Sequence, residues 1–299
     1  MTAIFSKIYE GEKDFQIMVD LLNQIRLVER INDYPAKVNI EEGLANAEVR
    51  SNTRLWFDAG QPIGWAYVDD SHNLLWEFQT QYMESLGAEI VAWGADCIRR
   101  NLTAGETSTL DASCREDDKQ RLDFLCQHGF HQTDVITVSM KRDLSTPIAD
   151  SVLPEGFFVR AIKGTEEAEA VASTHRSAFG TEYMSTENRL AIMSTSEYDP
   201  ELDLMVIAPN GSIAAYCTCS VNEQNKEGST DPVATHPQFQ GMGLAKAVLC
   251  KGLQMLKERG MKSAHLGTSG QNIAMQKAAE SAGFVLEHRT FWFEKAVRN

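Results

Sequence analysis

One short stretch, Gln238-Phe239-Gln240-Gly241-Met242-Gly243, places two glycines directly before a helical pattern with apolar Leu244, Val248, Met255 and Leu256. These residue types suit one task, which is holding an anion. The first amides of a helix have no internal acceptor, and the helix N-terminus carries partial positive charge. Glycines let an oxyanion approach the backbone closely, and a phosphate is the usual occupant. Spacing alone leaves an ordinary strand-to-helix turn open as the alternative. Two familiar phosphate loops are excluded. A Walker loop needs Lys and then Ser or Thr after its last glycine, but Leu244 and Ala245 follow Gly243. A dinucleotide fingerprint needs a third glycine where Lys246 stands.

The elements that must position this turn can be read from periodicity and punctuation. In the second half, strands are predicted at Phe157–Ile162, Leu202–Ala208, Ile213–Val221, Thr230–Thr235, Ser263–Leu266 and Arg289–Glu294. Helices are predicted at Glu166–Phe179, Ser185–Ser194, Gly243–Arg259 and Asn272–Ser281, with Gly260 as the stop of the third. The order is βααβββαβαβ. The first half repeats its ends. One constant offset brings Gly283 onto Gly129, Phe284 onto Phe130, Lys295 onto Lys141 and Ile162 onto Ile8. A linker with two prolines, Ser145–Phe157, separates the halves, so the expected domains are 1–148 and 149–299.

Composition narrows the function. The chain has 299 residues, 43% of them hydrophobic and 23% charged, enough for two soluble cores. A net charge of −14 disfavours nucleic-acid binding, and it suits solubility or a cationic substrate. No stretch approaches the roughly 20 apolar residues of a membrane span, and the N-terminus lacks a signal-peptide core, so no membrane partner and a cytoplasmic location are expected. The six cysteines form no CxxC pair; all are expected to be free thiols, and no metal site is expected.

Taken together, these motifs resemble the GNAT acetyltransferases. Gln238-x-x-Gly241-x-Gly243 matches the family signature Q/R-x-x-G-x-G/A, with Thr230–Pro237 upstream and Asn272 with Gly283-Phe284 downstream in the family's order. The layout of two such domains is similar to that of mycothiol synthase and related tandem GNAT proteins. The resemblance implies an α/β (α+β) fold of two tandem GNAT-like domains, each a mixed, mostly antiparallel twisted sheet flanked by helices. It implies an acetyl-CoA-dependent N-acetyltransferase that acts on the primary amine of a small molecule by direct attack in a ternary complex.

Residue by residue, the resemblance assigns the pyrophosphate cradle to Gln238, Phe239, Gln240, Gly241, Met242, Gly243, Leu244 and Ala245. The pantetheine-pairing strand falls to Val233, Ala234 and Thr235, and a further coenzyme contact to Asn272. Asp231 stands where the family often has its catalytic glutamate and is the candidate base, with Glu227 a nearby substitute. The family's tyrosine acid falls on Ala279, which cannot donate a proton. His265 is a titratable neighbour for which a structural role is the alternative. His236 is expected to shape the turn.

In the first half the same offset places Glu84-Ser85-Leu86-Gly87-Ala88-Glu89 opposite the turn and Asp118 opposite Asn272. Glu89 would add negative charge where a pyrophosphate lies, so this half is expected to be a structural domain without coenzyme. Trp56, Trp65, Trp76, Phe78 and Trp93 are read as packing. The acceptor pocket is expected around Gly180–Pro200, where Glu182, Tyr183 and Glu187 could meet a cation or simply begin a solvated helix. A non-catalytic acyl-CoA-binding sensor or scaffold, and a protein lysine or N-terminal acetyltransferase, are the competing readings. The acceptor and the oligomeric state are not legible.

Overall fold

A computed structural model describes residues 4–27, 30–31, 33–150, 152–195 and 198–299. The chain packs as two units, residues 1–135 with 290–299, and residues 136–289.

In the first unit, strand β1 (Phe5–Ile8) leads into helices α1 (Glu12–Ile25), α2 (Lys37–Ala45) and α3 (Ala47–Ser51). Strands β2 (Thr53–Asp58), β3 (Gln61–Val68) and β4 (Leu74–Phe78) complete a four-stranded antiparallel sheet in sequence order. Helix α4 (Thr80–Arg99), strand β5 (Thr107–Arg115), helix α5 (Lys119–Gln127) and strand β6 (His131–Asp143) follow. Trp56, Trp65 and Trp76 are fully buried and Phe78 nearly so, while Trp93 is half-buried.

The second unit contains strand β7 (Phe158–Ala161), helices α6 (Ala168–Phe179) and α7 (Thr186–Met193), and strands β8 (Asp203–Ile207), β9 (Ile213–Asn222) and β10 (Glu227–Thr235). Helix α8 (Leu244–Glu258), strand β11 (Ser263–Ser269), helix α9 (Ile273–Ser281) and strand β12 (Val285–Arg298) close the chain. This is the predicted order. Strand β10 begins at Glu227 rather than Thr230, because Glu227-Gly228-Ser229, loop-like by composition, is paired on both sides, with β9 and with β11. On α8, Leu244, Val248, Leu249, Leu253 and Leu256 form a buried stripe in one core with Leu204, Cys217, Cys219, Leu266 and Phe284. Cys217 and Cys219 sit side by side in that core with sulfurs 3.6 Å apart, and all six cysteines are free thiols.

Strands β6 and β12 run through both units. Ile136 onward in β6 belongs to the second unit, where β6 pairs with β11, and Thr290 onward in β12 belongs to the first, where it pairs with β5. Each unit is thus finished by a strand from the other half of the sequence. The ends of the halves do correspond in local geometry: Gly129 and Gly283 both take positive φ, and Phe130 and Phe284 are both buried. Asp118 caps α5 by accepting from the Arg121 amide at 3.0 Å, as Asn272 caps α9 from the Met275 amide at 3.1 Å.

The offset fails in the middle. Glu84–Glu89 lies inside α4, not ahead of it, and only Gln79 separates β4 from α4. Gly87 serves close packing, since a Cβ there would meet His128 and Phe124 at 2.7 Å. The junction of β4 with α4 therefore holds no glycine turn, rather than a charged version of one.

A buried ion pair fixes α7 to the second sheet. Arg189 and Asp203 are 2% and 0% exposed and bonded to each other, and Asp203 also accepts from Tyr198 Oη at 2.6 Å and Thr218 Oγ1 at 3.0 Å. Burial pushes the Asp203 carboxyl up, and the Arg189 charge opposes that. Arg189→Ala should therefore destabilise the chain by about 3–5 kcal/mol, because it strands a buried carboxylate. Adding Asp203→Asn should recover much of the loss. Urea melts of the two variants check this; an equal loss in both would show that the charge is not the cause.

Candidate active site

The site begins where two neighbouring strands part. Strands β10 and β11 are parallel and in register only over Glu227↔Ser263, Gly228↔Ala264 and Ser229↔His265. Beyond that point β10 stays with β9 as far as Thr235, and β11 stays with β6 as far as Ser269. Thr230 sits fully buried at the fork, its hydroxyl donating to the His265 carbonyl at 3.3 Å. Past it, Val233, Ala234 and Thr235 pair with β9 on one side and have no strand partner on the other among the described residues. A row of backbone groups inside a sheet thus lies open to a ligand.

Asp231 stands in the fork. The pairing of β10 with β9 slips by one residue between Thr230 and Val233, where the Asp231–Pro232 peptide is cis. Such a bulge leaves a residue outside the regular alternation and re-aims its side chain. The Asp231 carboxylate lies beside Gly267 of β11: a Cβ added there would be 3.9 Å from Oδ2. Asp231 is exposed by surface area, while the protein packed around it pushes its carboxyl up to about 6.

The strand then enters the glycine turn. His236 shapes it as expected, its Nδ1 accepting from the Gln238 amide at 3.3 Å. The Phe239 amide donates to the His236 carbonyl and the Gln240 amide to that of Pro237, so these amides are spent within the turn. The Phe239 ring packs near Phe157. Gly241 and Gly243 each have φ of 77°, a conformation costly for other residues, and a Cβ at either would meet nothing within 4 Å. No side chain among the described residues caps α8. The amides from Gly241 to Ala245 are therefore the ones offered to a ligand.

Other predicted residues fall into place more loosely. The side-chain oxygen of exposed Asn272 is engaged in capping α9, which leaves its NH2 group for a ligand. Ala279 is fully buried. Glu227 and His265 join a charged ring on the sheet. His265 Nε2 lies 3.3 Å from Glu227, its Nδ1 3.4 Å from Glu287, and Lys141 3.5 and 3.6 Å from the same two carboxylates. The His265 hydrogen bond is the largest cause holding Glu287 down to about 2. Glu182, Tyr183 and Glu187 are exposed, and Ser185 caps α7 from the Asn188 amide.

A second polar pair, on the α6 side, was not legible in the sequence. His175 Nδ1 and the hydroxyl of buried Tyr216 are 2.6 Å apart, and the His175 ring lies 4.4 Å from that of Phe179. Burial, and then the charge of Arg189, hold His175 below its usual range. Tyr216 pairs with Ala234 across β9 and β10. Nothing in one sequence links residues 175 and 216.

The fold is that of tandem GNAT proteins. A structure from Sphaerobacter thermophilus, described as a GCN5-related N-acetyltransferase, aligns with a TM-score of 0.80 at 19% identity over 99% of this chain and 96% of that one. A tandem GNAT protein from the clavulanic acid biosynthesis pathway aligns with a TM-score of 0.75 at 15% identity over 100% and 99%. At these identities the likeness is one of fold. Residues 168–284 match the family described as "Acetyltransferase (GNAT) family". These residues carry a GNAT acetyltransferase domain. Mycothiol acetyltransferase of Streptomyces bingchenggensis (strain BCW-1) is 26% identical over 247 residues, 76% of this chain and 75% of that protein. The same enzyme of Arthrobacter sp. (strain FB24) is 26% identical over 145 residues, 46% of this chain and 45% of that one. The matched region spans about half the length of several of these curated relatives.

The raised Asp231 pKa has a consequence for stability. The folded chain holds this proton more tightly than the unfolded chain, where the carboxyl titrates at about 3.9. Stability from this group is full below that value and is lost as pH rises through about 6. Asp231→Asn should raise Tm at pH 8 and change it little at pH 4, as measured by calorimetry. The same shift at both pH values would show that the charge is not strained in the fold.

Proposed function

We propose that the chain is an acetyl-CoA-dependent N-acetyltransferase acting on the primary amine of a small molecule. The observation that carries this reading is the place of Asp231, at a fork whose open strand edge runs straight into an uncapped, glycine-lined helix start. The coenzyme fits the residues present. The open space at Gly241 and Gly243 suits a pyrophosphate on the amides of Gly241–Ala245, and the free edge at Val233–Thr235 suits the amide groups of a pantetheine arm. Bound acetyl-CoA would supply the acetyl thioester. An amide of the Val233–Thr235 edge would polarise its carbonyl. Asp231 would take the proton from the substrate ammonium, directly or through one water, and discharge it to solvent through its exposed side.

With Ala279 buried, the usual acid is missing, and the leaving thiol, of ordinary pKa about 8.5, would be protonated by solvent. That same alanine favours a second reading, a non-catalytic acyl-CoA sensor. A panel of amines, polyamines and amino sugars, assayed by free thiol release, separates the two: turnover with any acceptor supports the enzyme, and tight coenzyme binding without turnover supports the sensor.

Two variants test the assignments. Gly241→Glu with Gly243→Glu should weaken acetyl-CoA binding by about 100-fold, since it puts two carboxylates and two strained residues at the anion site. Equal calorimetric binding by variant and wild type would overturn the cradle. Asp231→Asn should lower kcat/KM by about 10²–10⁴-fold. In the wild type, activity should fall as pH drops through about 6, where the base becomes protonated. If the variant retains that acidic limb, Asp231 is not the base.

A further inference from the structure

The first unit holds a cavity of about 400 Å³ between β1, β2, α3 and α4. None of its residues belongs to the fork or the glycine turn. Its wall carries both signs of charge, Arg54 and Arg100 against Glu89, with Ile8, Ala92 and Trp93 as apolar surface. Asp96 adds a carboxylate that is paired with Arg99, and Ser51 adds a hydroxyl.

The polar groups are held from behind. The fully buried Trp56 donates its indole N–H to Glu89 Oε1 at 2.9 Å. Arg100 donates to the side-chain oxygen of buried Asn52 at 2.8 Å and to the Asp96 carbonyl at 3.3 Å. The Arg54 guanidinium stands 5.6 Å from the centre of the Trp93 ring. Its Nε is sealed from water, so a ligand would meet the outer nitrogens of the guanidinium, and a carboxylate is the group whose geometry answers them.

We propose that this cavity binds a small zwitterion of the α-amino acid class with an apolar side group. Its carboxylate would lie on Arg54 and Arg100, its ammonium on Glu89, and its side group against Trp93 and Ile8. An anion alone would face Glu89, and a cation alone would face Arg54 and Arg100. The volume is within the range of small-molecule sites and matches a single amino acid with room for water.

The test uses the full chain and isothermal titration with L-leucine and L-phenylalanine. The single-charge analogues of leucine, 4-methylpentanoate and 3-methylbutylamine, form the other arms. One-site binding in the millimolar range or tighter is expected for an amino acid, with each analogue weaker by about 10-fold or more. Arg54→Gln and Glu89→Gln should each cost a comparable factor. Ala92→Trp, at an exposed helix position, should fill the cavity and abolish binding with the far-UV circular dichroism unchanged. No binding of either amino acid to the wild type would overturn the proposal. So would undiminished binding to a folded Ala92→Trp variant, or a carboxylate analogue that binds as tightly as the amino acid.

Discussion

The fork between β10 and β11 is the constraint on which the rest of the second unit depends. A sheet interior normally pairs every backbone group, and opening one seam leaves amides and carbonyls that must find water or a ligand. The cost is limited here by where the seam opens. Three registered pairs hold the strands at Glu227–Ser229, and the buried Thr230 hydroxyl closes the fork with a bond to the His265 carbonyl. Each strand keeps its outer partner, so both walls stay rigid although they are apart. The one-residue slip at Asp231 then frees a carboxylate from the alternation at the point where the walls separate. Without the slip, the alternation would set the register of the residues beyond it on the opposite faces.

Electrostatics follow from that geometry. The same protein that walls the fork crowds the Asp231 charge, and the open side of the fork keeps the proton exchangeable. A carboxylate titrating near neutral pH is more useful as a base than one titrating near 4, and the fold bears the strain of the ionised form. At the other end of the open edge the polarity reverses. The α8 terminus offers uncapped amides on two glycines, so an extended ligand would meet donors along its length and a base only at its tip. The buried Arg189–Asp203 pair fixes α7 against β8 of the same unit.

Local chemistry was legible in the sequence, and long-range pairing was not. The glycines at 241 and 243 announced their turn because positive φ is written into residue type, and the apolar stripe of α8 announced its helix. Asp118 and Asn272 read correctly as counterparts because a helix cap is a three-residue event. The start of β10 was missed because partners on both flanks override a Gly-Ser composition. The exchange of final strands between the units was invisible because β6 and β12 have the same pattern whichever neighbour they pair with. The fork itself, and the meeting of His175 with Tyr216, depend on which strands stop pairing and which helix lies above them, and no spacing encodes that.

The middle of the first half departs from the constant offset. The constant offset treats Glu84–Glu89 as a damaged turn, but β4 passes into α4 through Gln79 alone. A point substitution in a glycine turn leaves the loop in place, whereas here the helix begins almost at the strand's end. Gly87 then lets α4 approach Phe124 and His128, and Glu89, turned outward from the helix, is anchored by the Trp56 indole. A residue that looks like electrostatic sabotage of a phosphate site is, in its own surroundings, a wall of a different cavity, facing Arg54 and Arg100.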